Sequence, residues 1–238
     1  LFLRMDESPF RFQVFKGSEN KYSKGGFEVA SKEDFEDAKK QLQDLNISFQ
    51  EEGEDLAKVR CVKELISFND PAGNSLELFY GRDIDKNEFK SSQDISGFVT
   101  HGLGLGHLVF GTLEAEAAHD FYTQVMEFGD SDIMRMRFTP DPNDPESVIY
   151  FMHCDNPRHH TVGIMLAPTP PSGLIHAMVE VETAEQVVDA MDRATSNNIH
   201  ISSTLGRHMN DKMFSFYMQT PAGLSLIHIS EPTRRWSI

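Results

Sequence analysis

One arrangement of turn and strand occurs twice in the chain, and this repeat constrains the fold more than any other feature. DPAGNSLELFYG begins at Asp70 and TPAGLSLIHIS begins at Thr220, and each is a Pro-Ala-Gly turn followed by a short apolar strand. The copies differ four residues after the glycine, where the first has Glu77 and the second has Ile227. The same strand position therefore holds a carboxylate in one copy and an aliphatic side chain in the other.

Each repeat belongs to a longer unit. From Gly26 the sequence predicts a strand, a cap at Ser31, an amphipathic helix to about Leu45 and further strands. HAMVEVETAEQVVDAM has the same plan, with a cap at Thr183 and a helix to about Ala194, and GHLVFGTLEAEAAHDFY begins a third copy. Self-similarity at a period of roughly 60 to 70 residues indicates repeated units. We therefore expect an α+β fold in which βαβββ units form two cup-shaped mixed-sheet domains.

The units also predict the domain organisation. The chain opens inside a hairpin, FLRM and FRFQVF, without an initiator Met, so we expect sequence to be missing before Leu1. The polar stretch RDIDKNEFKSSQD is typical of a linker. We expect an N-terminal domain truncated at its start, a linker, a C-terminal domain and a tail that departs from the repeat, at residues 1–82, 83–100, 101–223 and 224–238.

Composition excludes several classes of protein. The formal net charge of −15 argues against a nucleic-acid surface, because phosphates require clustered Lys and Arg. No apolar run approaches the roughly 18 to 20 residues that span a bilayer, so no membrane segment is expected. The two cysteines, Cys61 and Cys154, are far apart and suggest free thiols in a reducing compartment, which predicts a cytoplasmic protein.

Histidine occurs only in the second half of the chain, where all ten residues lie at or after residue 101. His107 and His176 stand at the starts of equivalent strands and can face each other across a cup of sheet. With a carboxylate from the last strand they would form a two-His, one-carboxylate set, which suits Fe(II) and leaves positions open. One strand histidine alone is more often structural, but two at matching positions favour a metal. Lys24 occupies the position matching His176, so we expect the first domain to be metal-free.

The glycine-rich run GLGLG precedes His107 and superficially resembles a phosphate-binding loop. Such loops lead from a strand into the N-terminus of a helix, whereas this one leads into a strand. The sequence therefore gives no support for a phosphate site here.

Four motifs together resemble a known family: GLGHLVF, NPRHHT, HAMVEV and TLGRHMNDKMFSFYMQTPAG. They are similar to the type I extradiol catechol dioxygenases of the vicinal oxygen chelate superfamily, and the resemblance extends to Gly223. PTPPSGLIHAMVEVE and SSTLGRHMND resemble the steroid-degrading members more than the biphenyl-degrading ones. The resemblance implies an Fe(II) cofactor, a catecholic substrate and dioxygen as co-substrate. Mn(II) is an alternative that the ligand set does not exclude.

The resemblance also implies roles for individual residues. His107 and His176 match the two metal-ligating histidines. His160 matches a histidine that stabilises oxygen-derived negative charge and moves protons. His159, beside it, is expected on the opposite face of a strand, where a structural role is favoured.

Three more residues match the wall of the family's substrate site. His208 and Tyr217 match residues that hydrogen-bond the catechol oxygens, and Asp211 matches a supporting acid. From the residues alone, Tyr217 lies in an alternating strand, FSFYMQ, which suits the core as well as a cavity. Asp211 alone could equally form a turn.

The C-terminus departs from the family. The third ligand of the family is a glutamate four residues after the turn glycine, the position of Ile227. His228 has the wrong parity to replace it. Glu231 has the right parity but lies about 13 Å further along an extended strand, next to Pro232. The tail LSLIHISEPTRRWSI is similar to translated adapter sequence from assembled reads, a hypothesis about its origin. We expect weak Fe(II) binding and poor turnover.

The predicted function is Fe(II)-dependent extradiol cleavage of a bicyclic or polycyclic catechol by dioxygen, in aromatic or steroid catabolism. Two alternatives stay open. One is another metalloenzyme on the same units, such as a glyoxalase or a fosfomycin-modifying enzyme. The other is a non-catalytic module that binds a small molecule, which the absence of a carboxylate at Ile227 favours. Exposed strands in such sheets often pair between subunits, so a homo-oligomer is expected.

Overall fold

The structure, a computed structural model, describes residues 1–93, 95–137 and 139–230. Its N-terminal elements are β1 (Phe2–Leu3), β2 (Phe12–Gln13), β3 (Gly25–Val29), α1 (Lys32–Asp44), β4 (Phe49–Glu51), α2 (Glu54–Arg60), β5 (Glu64–Asn69) and β6 (Ser75–Tyr80). The next unit comprises β7 (Leu108–Thr112), α3 (Ala115–Gln124), β8 (Gly129–Met136), β9 (Ser147–His153) and β10 (Val162–Leu166). The last comprises β11 (His176–Glu180), α4 (Ala184–Ser196), β12 (Ile201–Arg207), β13 (Phe214–Gln219) and β14 (Ser225–Ser230). The α+β fold of repeated βαβββ units is confirmed.

The structure has three sheets: β1 and β2 form a small pair, and the other two sheets carry the three units, of which the first begins at β3. The N-terminal unit forms a four-stranded sheet in the order β3-β6-β5-β4. The other two share one eight-stranded sheet, β12-β13-β14-β11-β7-β10-β9-β8. In each unit the first strand pairs in parallel with the last, and the two C-terminal units join through their first strands, because β11 is antiparallel to β7. This junction places the starts of β7 and β11 side by side.

Local signals fix the helix starts. The Ser31 side chain accepts a hydrogen bond from Asp34 N, and the Thr183 side chain accepts one from Gln186 N, so both predicted N-caps are confirmed. Helix α2 was not predicted. It has seven residues, no side-chain cap at Gly53, and ends at Cys61 in the left-handed conformation with φ 56°. A helix this short leaves little periodic signal in the sequence.

The core contains side chains from both sheets. Phe35 and Tyr80 of the N-terminal unit belong to the same buried cluster as Phe110 and Tyr122 of the next unit. Tyr122 also donates a hydrogen bond to the buried carboxylate of Asp70 at 3.2 Å. The boundaries at residues 82 and 100 stay predictions. Within the described parts of the chain, no helix is long and apolar enough to cross a membrane.

The predicted tail begins as a strand of the large sheet. β14 pairs in parallel with β11 and antiparallel with β13. Its side chains alternate as expected, since Ile227 and Ile229 are fully buried beside Met178 while the ring of His228 stacks on Phe216, at a centroid distance of 5.3 Å. Glu231 and Pro232, considered above, lie outside the described residues.

His228 should make the chain sensitive to acid. Burial lowers its pKa to about 4, and the positive charge of Arg193 on α4 adds to this effect. Its neutral form therefore stabilises the fold fully above the unfolded-state pKa of about 6.5, and this stability is lost as the pH falls towards 4. Because the side chain is partly exposed, we expect a loss of only about 1–2 kcal/mol in the free energy of unfolding.

Urea unfolding at several pH values between neutrality and mild acid, on the native chain and on His228→Phe, tests this. Phenylalanine keeps the stacking on Phe216 and removes the titrating group, so the variant should lose less stability on acidification. Parallel pH dependences of the two chains would contradict the role of His228.

Candidate active site

The junction of β7 and β11 brings two histidines together. His107 precedes β7 and His176 opens β11, and their Nε2 atoms are 3.1 Å apart. His107 is 2% exposed, and its Nδ1 is buried without a hydrogen-bond partner among the described residues. Burial lowers the pKa of His107 and lowers that of His176 to about 3. Both rings are therefore neutral and carry the lone pairs that a metal ligand needs.

The two nitrogens fit two neighbouring ligand positions of one cation. Metal–imidazole bonds of about 2.0–2.1 Å that meet at about a right angle separate the nitrogens by about 3 Å, which matches the observed spacing. The third position does not fit. Ile227 pairs with Met178, two residues along β11 from His176, and packs beside Tyr217 with no exposed surface. Its side chain offers no donor atom, so position 227 could not supply a third ligand to a cation held by the two histidines.

The N-terminal sheet shows what the same strand position holds there. Gly26 pairs with Glu77 in the register in which Met178 pairs with Ile227, so Lys24 and His176 are equivalent. Lys24 Nζ lies 3.2 Å from Glu77 Oε1. The Arg60 guanidinium donates to both oxygens of that carboxylate, at 2.8 and 3.0 Å. The carboxylate is thus neutralised by two cationic side chains, which supports the prediction that this domain is metal-free.

The adjacent His159 and His160 lie in the loop that precedes β10. The ring of His160 stacks on His107, with centroids 3.9 Å apart and planes inclined by 25°. His159 Nδ1 lies 3.0 Å from His160 Nδ1, so both rings converge on the site. The expectation that His159 would point to the opposite face is wrong, because parity rules hold for strands and these residues precede one.

The third group of side chains comes from β13 and from the turn after β12. His208 Nδ1 lies 3.1 Å from Asp211 Oδ1, and Met213 N donates to the same carboxylate at 3.0 Å. His208 Nε2 lies 3.2 Å from the Tyr217 hydroxyl and 3.1 Å from Ser215 Oγ. The Tyr217 ring meets the edge of His176 at a centroid distance of 5.4 Å, which connects this group to the histidine pair.

The pKa values of Asp211 and Tyr217 in this group shift in opposite directions. Burial alone would raise the pKa of Asp211, but the hydrogen bond from His208 holds it below its ordinary value. Burial, with the charge of Asp211 nearby, raises the pKa of Tyr217 to about 12. Tyr217 therefore keeps its proton and Asp211 keeps its charge at neutral pH.

The structure thus brings all six predicted site residues into one continuous set of contacts: His107, His176, His160, His208, Asp211 and Tyr217. Among the described residues, the one group of three His, Cys, Asp or Glu side chains spaced to hold a metal is His159, His160 and Asp211. In that group Asp211 is already engaged by His208 and Met213 N, so we assign it to hydrogen bonding.

The glycines before His107 are required by the backbone conformation and by close packing. Gly102 and Gly104 have positive φ values of 66° and 72°, which side chains rarely adopt. At Gly106 an added Cβ would lie 1.9 Å from the carbonyl oxygen of Met178. Only glycine lets this segment approach β11 closely enough for His107 to reach His176, which explains GLGLG without a phosphate.

Comparison with known proteins identifies the family. Residues 104–227 match the Glyoxalase/Bleomycin resistance protein/Dioxygenase superfamily. The chain is 38% identical over 229 residues to an iron-dependent extradiol dioxygenase of Rhodococcus jostii (strain RHA1), covering 95% of this chain and 75% of that protein. It is 37% identical over 224 residues to a biphenyl-2,3-diol 1,2-dioxygenase of Metapseudomonas furukawaii, covering 94% of this chain and 72% of the relative.

A solved structure agrees with these relatives. The crystal structure of a catechol 2,3-dioxygenase superimposes with a TM-score of 0.92 at 26% identity, over 100% of this chain and 78% of that one. Fold, site and relatives all agree with the resemblance found in the motifs. The chain therefore belongs to the Glyoxalase/Bleomycin resistance protein/Dioxygenase superfamily and, within it, to the extradiol catechol dioxygenases of aromatic catabolism.

Proposed function

We propose that this chain carries the site of an Fe(II)-dependent extradiol dioxygenase for a bicyclic or polycyclic catechol, and that Ile227 leaves its metal site weak. The observation that carries the proposal is the convergence of the His107 and His176 Nε2 atoms at 3.1 Å inside a buried site. Fe(II) is favoured because one relative is named iron-dependent. A substrate of two or more rings is favoured because others are named for biphenyl-2,3-diol and 1,2-dihydroxynaphthalene.

A bound divalent metal supplies Lewis acidity, which lowers the pKa of catechol hydroxyls that it contacts. His107 and His176 would hold it. His160 would transfer protons next to the metal position. Its ring is buried against His107, and its Nδ1 faces His159. Burial lowers its pKa. A neutral imidazole held in this way can accept a proton from substrate and return it later.

His208 is oriented by Asp211 so that its Nε2 can contact a catechol oxygen. Because Asp211 is ionised and can only accept, His208 Nδ1 carries a hydrogen, and in the neutral ring the lone pair is then on Nε2. That lone pair faces the Tyr217 hydroxyl, which keeps its proton at neutral pH. A catechol hydroxyl placed between them can donate to the imidazole and accept from the phenol, whereas its oxyanion can accept from the Tyr217 hydroxyl alone.

A second candidate function is a binding module without turnover, and Ile227 is the observation that favours it. The protein walls that contact a catechol would remain, while metal-dependent chemistry would be lost. The two functions separate in one assay, because ring cleavage turns 2,3-dihydroxybiphenyl into a yellow product and binding alone does not.

We expect the native chain, supplied with Fe(II) under anaerobic loading and then exposed to air, to form this yellow product slowly. The variant Ile227→Glu should form it about 100-fold faster, because a lost outer-shell contact already changes activity 10–100-fold and a ligand matters more. Ile227→Gln, with nearly the same volume but a weaker donor, is the control and should stay close to the native rate. Equal rates for all three chains would refute the assignment of position 227.

Resequencing the source DNA from the codon of Gln219 onwards complements the assay. A glutamate codon four positions after Gly223 would give the natural protein the third ligand that the family has. Confirmation of the present codons would make the weak metal site a property of the natural protein. A homo-oligomeric state and a steroid substrate also stay predictions.

A further inference from the structure

Arg158 is the largest fully buried side chain of the described residues, and in the sequence it comes immediately before His159 and His160. Its Nη1 donates to Glu180 Oε2 at 2.7 Å, and its Nη2 donates to the carbonyl oxygen of Val99 at 3.1 Å. Val99 N in turn donates to the carbonyl oxygen of Glu180 at 2.9 Å. One guanidinium therefore ties together three segments that are distant in sequence.

These segments all lead to the metal-site histidines. Glu180 is on the same face of β11 as His176 and Met178, about 13 Å along the strand from His176. Arg158 Nη1 also lies 3.8 Å from the Met178 sulfur, so the guanidinium extends along that face towards the site. At the other end, Arg158 N donates to the Asn156 side chain at 2.9 Å, which fixes the turn of the loop.

Stability alone does not account for such a pair. Buried ion pairs are often no more stabilising than apolar side chains of the same volume, because removing two charges from water offsets their attraction. What the planar fork of arginine supplies, and lysine does not, is a fixed geometry towards two acceptors at once. Here the two acceptors belong to different segments. Two residues after Arg158 in the chain comes His160, whose ring stacks on His107 at a centroid distance of 3.9 Å.

We propose that Arg158 is a positioning residue, which through Glu180 and Val99 fixes the loop that holds His160 against His107. This inference deepens the proposed function, since it concerns the proton-handling histidine of the same site. Arg158 acts through that loop and contacts no reacting atom.

The test uses the ring signals of the histidines in NMR spectra of the native chain, recorded without metal or substrate. In the native chain, the stacked rings of His107 and His160 should give a cross-peak between their ring protons. Arg158→Lys keeps the charge but loses the fork, and R158M/E180M replaces the pair by apolar side chains. Both variants should lose this cross-peak and shift the His160 signals, while R158M/E180M keeps a cooperative unfolding transition near the native midpoint.

Arg60→Lys is the matched control. It alters a different arginine–carboxylate pair, in which Arg60 donates to both oxygens of Glu77, in the sheet that lacks histidine. It should lower stability and leave the His107 and His160 signals unchanged.

Two results would overturn the proposal. One is an unchanged cross-peak in R158K or R158M/E180M, which would reduce Arg158 to a core ion pair. The other is failure of every Arg158 variant to fold, which would assign the residue to global folding. Neither readout depends on ring cleavage, so the proposal can fail while the proposed function stands, and the reverse.

Discussion

Ile227→Glu is expected to raise the affinity for Fe(II) by about 100-fold or more, and to destabilise the metal-free chain by about 2–4 kcal/mol. Both effects follow from one geometry. Position 227 is fully buried on the face shared with Met178 and Tyr217, next to His176. A carboxylate there would complete the proposed set of two histidines and one carboxylate. Without a cation, the same carboxylate is a buried charge with no partner, which is strongly unfavourable.

Anaerobic calorimetric titration with Fe(II) measures the first effect, and urea unfolding with and without Fe(II) measures the second. Metal at about 100 times its dissociation constant should return about 2.7 kcal/mol to the variant, and little to the native chain. Ile229→Glu is the control, because Ile229 is equally buried on the same face but lies opposite Glu180. Ile229→Glu should lower the free energy of unfolding, and Fe(II) should not restore it. The assignment of position 227 fails if Fe(II) affinity is the same in the native chain and Ile227→Glu.

Gly106→Ala is expected to reduce stability by about 3–5 kcal/mol and to abolish the remaining metal affinity. The added Cβ would lie 1.9 Å from the Met178 carbonyl oxygen and 2.8 Å from its carbon, and both are backbone atoms that cannot rotate away. Met178 N also donates to the carbonyl oxygen of His107 at 2.9 Å, and this bond would stretch as the strands separate. The substitution therefore moves His107 away from His176.

Gly206→Ala provides the control for this effect. Gly206 also lies in the eight-stranded sheet, but the nearest atom to its added Cβ is the Thr204 carbonyl oxygen at 3.9 Å. We expect a change of less than about 1 kcal/mol there. Unfolding midpoints and metal titration on both variants are the measurements. A Gly106→Ala chain with native stability would show that the strands can separate at no cost, and would remove the packing explanation of GLGLG.

The sequence predicted those features that depend on local patterns. The caps at Ser31 and Thr183 and the strand alternation around Ile227 follow from short-range physics, and the structure has them. The equivalence of Lys24 with His176 came from the repeat alone, and the strand register agrees with it.

Other features needed the folded chain. The antiparallel junction of β7 with β11 is a contact between units, and no local pattern encodes it. His159 was placed by strand parity, which does not apply in the loop where it lies. Arg158 precedes it as an ordinary charged residue, and only the fold shows that it is buried with Glu180. The short helix α2 left too few residues for a periodic signal.

The carboxylate of Glu77 and the methyl groups of Ile227 occupy the same place in two copies of one architecture. In the first copy, Lys24 and Arg60 do electrostatically what a divalent ion would do. In the second copy, Ile227 brings no charge to this position. At this strand position, therefore, neither copy holds a carboxylate without a partner. A carboxylate that needs no metal cation to offset its charge, and an aliphatic side chain that has no charge, both leave the fold at this strand position independent of a bound ion.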